Sequence, residues 1–154
     1  MMLIDLVTRA AVAVFPDATV VEAARQMKVH NVGSVVVIDE LGLVVGILTD
    51  RDIVMKLADR RLVDPEQRID ELMTRDPVCL GGSLPLERGL TAMHTHRIRR
   101  VPVINDKGEL VGVVSLDDVL VHMGRSMSQA AGLIEQEVAG RAEDRWPVAS
   151  SVGF

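Results

Sequence analysis

VVVIDELGLVVGILTDRDI, residues 35–53, and VPVINDKGELVGVVSLDDV, residues 101–119, decide the fold, because the second stretch repeats the first 66 positions later. Extended outward, the same offset aligns residues 5–57 with 71–123 without a gap, and DLVTRAAV (5–12) falls on ELMTRDPV (71–78). Thirteen of the 53 aligned pairs are identical, including Thr8/Thr74, Arg9/Arg75, His30/His96, Gly42/Gly108, Gly46/Gly112 and Asp52/Asp118. A valine-rich composition would yield about four identities by chance. Shared composition cannot hold glycines and an aspartate in register, so the chain carries two copies of one unit.

Both copies read alike. The first opens with a short apolar strand over residues 10–15, closed by Pro16-Asp17. Thr19, three residues before Glu22, forms a capping box, and Val20, Ala24 and Met27 give the helix behind it one apolar face. In the second copy Ser83 or Pro85 starts the helix, with Leu86, Leu90 and Met93 on the corresponding face. Strands over 34–38 and 43–48 follow, joined by Asp39-Glu40-Leu41-Gly42; their partners over 100–104 and 109–114 are joined by Asn105-Asp106-Lys107-Gly108. Asp or Asn leading to Gly marks a tight hairpin. A further helix starts near Asp52 and near Asp118.

The unit is β-α-β-β-α, an α/β (α+β) class of fold with helices covering the sheets. At about 60 residues each half buries too little surface to stand comfortably alone, so the two are expected to pack sheet to sheet about a pseudo-twofold axis. The expected organisation is residues 1–62, a connector over 63–69, residues 70–124, and a C-terminal helix and tail over 125–154. The stretch 58–69, LADRRLVDPEQR, is charged and contains Pro65. From Leu120 through Met123, Met127, Ala130 or Ala131, and Ile134 to Val138 a helical stripe runs on without a counterpart in the first copy. Trp146 is the candidate anchor for the tail.

Composition narrows the function. The 154 residues carry 17 basic and 22 acidic side chains, a net charge of −5, which supplies no global field for a polyanion. Aromatic residues make up 2% of the chain, and there is no tyrosine on which bases could stack. One cysteine, Cys79, leaves no disulfide framework and no four-cysteine zinc site. No apolar run approaches the ~20 residues of a membrane span, and the N-terminus lacks the charge order of a secretory leader. The expectation is a cytoplasmic protein with neither a nucleic-acid nor a membrane partner.

The sharpest motif is Gly46-Ile-Leu-Thr49-Asp-Arg-Asp52, repeated as Gly112-Val-Val-Ser115-Leu-Asp-Asp118. A hydroxyl residue three positions before a carboxylate at a helix start is a capping box, worth about 1 kcal/mol. The same geometry suits a nucleotide. A carboxylate can accept both hydroxyls of a ribose diol, and a helix N-terminus beside it suits phosphate. The two uses are compatible, because capping need not consume both carboxylate oxygens.

The repeat, the two Gly-h-h-Thr/Ser-x-x-Asp endings and His96-Arg-Ile-Arg-Arg-Val-Pro-Val-Ile-Asn-Asp106 together resemble a tandem CBS domain pair, the Bateman module, over residues 5–123. The resemblance implies a regulatory module that binds an adenosine-containing ligand (AMP, ADP or ATP, in some members S-adenosylmethionine or an NAD-type molecule) between the repeats, and that assembles as a dimer. It implies that Asp52 and Thr49 serve one site, Asp118 and Ser115 the other. Val78 and Ile98 would line the adenine slot at Asp52, and Val12 and Val32 the slot at Asp118. Members of the family often carry basic residues against nucleotide phosphates at the two positions before the buried strand 101–104, which gives that role to Arg99 and Arg100.

Those two belong to His94-Thr-His-Arg-Ile-Arg-Arg100, a dense basic run that reads structurally as a solvated helix end. The first repeat has Gly33 and Ser34 in their places. The expectation is therefore an unequal pair of sites, with the phosphate grip in the Asp118 half and weak or no binding at Asp52. Arg51 reads as a solvent-facing helix residue, with a supplementary contact to the first site as the other option.

The four histidines do not converge in sequence as a metal set, Cys79 reads as a small buried hydrophobe, and the methionines as helix core. With no Gly-rich phosphate loop and no nucleophile–base pair, the expected activity is sensing without catalysis and with no obligatory cofactor. The competing class is a structural or interaction scaffold whose motifs only cap helices. A small nucleotide hydrolase or transferase ranks last.

Overall fold

The computed structural model describes residues 1–7, 10–58 and 64–144. Thr8, Arg9, residues 59–63 at the end of the expected first repeat and the start of the connector, and the tail from 145, with Trp146, lie outside the described residues. The chain divides into two compact units, Met1–Leu116 and Asp117–Phe154.

In the first unit the order is β1 (Ala13–Val14), α1 (Val20–His30), β2 (Ser34–Ile38), β3 (Val44–Thr49), α2 (Asp50–Ala58), β4 (Thr74–Arg75), β5 (Leu80–Gly81), α3 (Leu86–His96), β6 (Arg100–Ile104) and β7 (Leu110–Ser115). Two sheets result, one ordered β1-β2-β3-β4 and one ordered β5-β6-β7. β1 runs parallel to β2, and β5 to β6, while β2–β3 and β6–β7 are antiparallel hairpins.

Both hairpin turns form as their residues dictate. Asp39 Oδ1 accepts from the backbone N–H groups of Leu41 and Leu43, each at 2.9 Å. Asn105 Oδ1 does the same for Lys107 and Glu109 at 2.9 and 3.0 Å. Each turn then needs a left-handed residue, which Gly42 (φ +79°) and Gly108 (φ +83°) supply without a Cβ clash. The two turns touch, with Leu110 N–H donating to the Gly42 carbonyl at 3.2 Å.

The capping box of α1 also forms. Glu22 N–H donates to Thr19 Oγ1 at 3.2 Å, and Thr19 N–H to Glu22 Oε2 at 2.7 Å. The Thr19 backbone bond, then the Thr19 hydroxyl, hold the Glu22 carboxyl below the usual carboxylate range. Two local expectations are corrected. The buried face of α1 is Val20, Ala23 and Met27, and Ala24 is exposed. With alanine at both positions, residue type could not fix the phase of the stripe. The first strand spans two residues instead of six, although Val36 N–H still reaches the Val12 carbonyl at 2.9 Å. Alanines at 10 and 11 favour strand weakly, and Pro16 cannot donate to a ladder.

Along β2, Val35 and Val37 pack with Val20, Ala23, Met27, Leu48 and Ile69 in one core. Alternation turns Val36 to the other face of the sheet, and it is 1% exposed; Pro102 holds the equivalent place in β6 and is also fully buried.

Each repeat is finished by the other's N-terminal arm. Residues 3–6 form a 3₁₀ turn on the second repeat: Leu3 and Ile4 N–H donate to the Leu84 and Gly82 carbonyls at 2.9 and 3.0 Å, and Leu86 N–H donates to Met1 at 3.2 Å. The matching residues 66 positions later dock on the first repeat. Ile69 and Asp70 N–H donate to Ala18 and Pro16 at 2.9 and 3.2 Å, and Val20 N–H to Gln67 at 2.9 Å. Arg68 clasps Asp70 at 2.7 Å, a hydrogen bond that holds the Asp70 carboxyl below its ordinary range. The repetition of these contacts is the pseudo-twofold relation in atomic form.

The second unit is described through Asp144 and consists of α4 (Leu116–Asp144, 29 residues), which begins at the last residue of the first unit. The expected stripe is helical and solvent-facing, with Met127 71% and Ile134 62% exposed. Among the described residues no helix is long and apolar enough to cross a membrane.

Candidate nucleotide site beside Asp52

β3 ends at Thr49 and α2 begins at Asp50, so the motif sits where a strand delivers the chain into a helix. Thr49 donates to Asp52 Oδ2 twice, from its hydroxyl at 2.7 Å and its N–H at 2.9 Å. Asp52 N–H returns a bond to Thr49 Oγ1 at 3.1 Å. The cap therefore uses one carboxylate oxygen, and among the described residues Oδ1 receives no hydrogen bond.

This carboxylate borders a cleft of about 620 Å³, within the usual ligand-site range of roughly 300–1,000 Å³. Ile47, Thr49, Arg51 and Asp52 line it from the first repeat. Thr74, Asp76, Pro77 and Val78 form a second wall, carried in by the arm that pairs with β3 through Gly46↔Arg75 and Ile47↔Thr74. Ile98 and Pro102 give a third, aliphatic side.

Arg97, Arg99 and Arg100 complete the lining. Four arginines, counting Arg51, and two aspartates, Asp52 and Asp76, are thus among the lining residues. Two of the lining residues hold left-handed backbone, Arg97 (φ +54°) as the C-cap of α3 and Asp76 (φ +47°) where the arm turns out of β4. Non-glycine residues tolerate that region at a cost, and such positions gather at functional sites.

The structure brings together Thr49, Asp52, Val78, Ile98, Arg99 and Arg100, and Arg51 with them. Arg99, directly before β6, and Arg100, its first residue, were expected with Asp118 and line the Asp52 cleft. Val12 and Val32 are not part of this lining. Ser115 ends β7, and Asp118 lies in the first turn of α4.

Asp76, Pro77, Ile47 and Pro102 were not singled out as site residues in the sequence, and Thr74 was noted only as a repeat identity. Asp76-Pro77 does carry a turn signal, and Arg97 stood inside the basic run already noted. Cys79 is half-buried, its Sγ donating to the Pro77 carbonyl at 3.3 Å, and burial pushes its thiol pKa up, away from the reactive thiolate. Among the described residues no three His, Cys, Asp or Glu side chains group as a metal site.

The CBS domain family matches the chain twice, at residues 3–59 and 69–125. The CBS domain-containing protein YhcV of Bacillus subtilis is 35% identical over 129 residues, 84% of this chain and 90% of that one. An inosine-5'-monophosphate dehydrogenase of Methanocaldococcus jannaschii is 31% identical over 127 residues, which span 24% of that enzyme. Among solved structures, the CBS domain pair of protein MJ0100 in complex with 5'-methylthioadenosine and S-adenosyl-L-methionine superposes with a TM-score of 0.74 at 27% identity, covering 82% of this chain and 98% of that one. A CBS domain protein from Pyrobaculum aerophilum complexed with AMP gives 0.72 at 28% identity, covering 77% and 89%. Two matches of the family, each falling on one copy of the internal repeat, show that the chain belongs to the CBS domain family and carries two CBS domains in tandem.

Proposed function

We propose that the chain is a non-enzymatic regulatory module that holds an adenosine-containing nucleotide of the AMP, ADP or ATP class beside Asp52 and passes its occupancy to a partner protein. The observation that carries this reading is Asp52 itself, capped through one oxygen and bordering a cleft rich in arginine. Its second oxygen would take the ribose diol, Val78 and Ile98 the adenine, and the arginines the phosphates. The AMP and S-adenosyl-L-methionine complexes of the related structures support an adenosine ligand. By the repeat, Asp118, Ser115, Val12 and Val32 would serve a second site of the same kind. No obligatory cofactor is required. Ligand that favours one placement of the two repeats would shift the population a partner sees. A homodimer would give the exposed stripe of α4 a cover, and the cytoplasm is the compartment that offers such ligands.

Thermal melting with AMP, ADP, ATP, S-adenosylmethionine and NAD tests the reading. A ligand at 100 times its dissociation constant stabilises by about 2.7 kcal/mol, a shift of several degrees. A shift with one of them is expected. No shift with any would leave the scaffold reading, with empty clefts. ATP hydrolysis above a blank, lost in Asp52→Ala, would overturn the non-enzymatic part.

A further inference from the structure

Within the second unit α4 carries six apolar residues, Met123, Met127, Ala130, Ala131, Ile134 and Val138, that helical spacing gathers on one side, with Arg125, Gln129 and Gln136 on the other. The stripe is uncovered. Met123 is 47%, Met127 71%, Ile134 62% and Val138 61% exposed, and a Cβ on Gly124, at its margin, would meet nothing within 4 Å. Read from either end, the six positions follow one another in steps of 4, 3, 1, 3 and 4 residues. A twofold interface brings the same patch of two copies together, so that residue i meets j where j meets i. Two α4 helices that run antiparallel and cross at Ala130 and Ala131 satisfy this at every position of the stripe. Met127 then faces Ile134 of the second copy, Met123 faces Val138, and the alanines at the crossing let the axes approach closely.

We propose that this stripe seats a second copy of the chain, packed antiparallel along α4 about a twofold axis between Ala130 and Ala131. The inference rests on the homodimer of the proposed function and adds the surface and orientation that make it; it does not depend on the ligand. Charge selects the orientation. Glu135 and Glu137 flank the stripe on its two sides and are the only acidic residues between positions 119 and 139. In a parallel pair in register, opposite flanks of the two helices meet, so Glu135 of each copy would stand beside Glu137 of the other. The antiparallel pair sets each glutamate against residues 124–128 of the other copy, which hold one cation, Arg125, and no carboxylate. Covering the stripe on both copies removes roughly 1,000 Å² from water, the lower limit of a specific interface. An area at that limit gives a dimer that dissociates on dilution, not an obligate one.

Sedimentation equilibrium on the full chain tests this, with circular dichroism to verify that each variant keeps its helix content. The unmodified chain should show a concentration-dependent dimer. Met127→Lys and Ile134→Glu should each weaken it at least about 10-fold, because each sets an unpaired charge from both copies into the apolar seam. The double variant should recover most of that loss, since the antiparallel pair puts each introduced cation against the introduced carboxylate of the other copy. Leu133 is 69% exposed but lies off the stripe, so Leu133→Gln should leave the dimer unchanged within about two-fold. A double variant weaker than either single one would mean a parallel pair and overturn the inference. Equal weakening by Leu133→Gln would overturn it too, as association without a defined face. Undiminished dimers in both single variants would place the homodimer on another surface and overturn the inference alone. A chain that stays monomeric at every concentration would remove the homodimer with it.

Discussion

At Asp52 the proposed function gives one side chain two tasks through different oxygens. Oδ2 takes both bonds from Thr49 and closes the first turn of α2, while Oδ1 would take the ligand. The tasks can be separated. Asp52→Asn keeps a carbonyl oxygen for the cap, so the melting temperature should move by no more than a few degrees. Affinity for the adenosine ligand should fall about 10- to 100-fold, because an amide NH₂ cannot accept from a ribose hydroxyl. Asp52→Ala should lose binding and also about 1 kcal/mol of stability with the cap. If Asp52→Asn bound ligand normally in calorimetry, the diol role of Asp52 would be wrong. The Thr49-x-x-Asp52 spacing was legible in sequence because a capping box is a local arrangement. Which cleft the arginines line was not. A long side chain at the start of a strand can turn to either repeat, and here Arg100 reaches the carbonyl of Gly33, 67 positions away.

At the scale of elements, the strands, both hairpins and the helix starts follow from local patterning, but the crossing of the arms does not. Val7 and Met73 are repeat equivalents, and so are Gly46 and Gly112. Nothing local says that Val7 packs on Gly112 and Met73 on Gly46 rather than each within its own copy. Both contacts need glycine: a Cβ on Gly112 would collide with Val7 Cγ1 and lie 3.0 Å from Cγ2, and one on Gly46 would collide with Met73 Sδ. The neighbours differ in compliance. Valine is stiff at χ1, whereas methionine has three rotatable bonds and can swing its thioether aside. Gly112→Ala should therefore destabilise by about 1–3 kcal/mol in denaturant unfolding, outweighing the roughly 0.5–1 kcal/mol that alanine gains in backbone entropy. Gly46→Ala should cost less. Adding Val7→Ala to Gly112→Ala should recover part of the loss. Strict additivity would mean that the two residues do not meet.

For the whole first unit, exchanged arms mean that neither repeat holds its complete core in its own stretch of chain. Ile69 is fully buried among Val20, Ala23, Met27, Val35, Val37 and Leu48 of the first repeat. Leu3, its equivalent, is 1% exposed, and a Cβ added to Gly89 of α3 would come within 2.7 Å of its Cδ2. Truncating a leucine or isoleucine so deeply buried costs about 2–5 kcal/mol, a large share of the ~5–15 kcal/mol that holds a domain together. The site of the loss is the informative quantity. Leu3→Ala changes the N-terminal arm yet should lower amide protection first in β6 and β7, whereas Ile69→Ala should lower it first in β2 and β3. Native-state hydrogen exchange at low denaturant distinguishes this from repeats that each close on their own arm, for which the assignment would be reversed. The exchange also bears on signalling. The wall of the Asp52 cleft formed by Thr74, Asp76, Pro77 and Val78 hangs from the arm that completes the first repeat, while Ile98 to Pro102 belong to the second. Ligand should therefore raise the protection of both hairpins together, and protection gained in only one would mean that occupancy stays local.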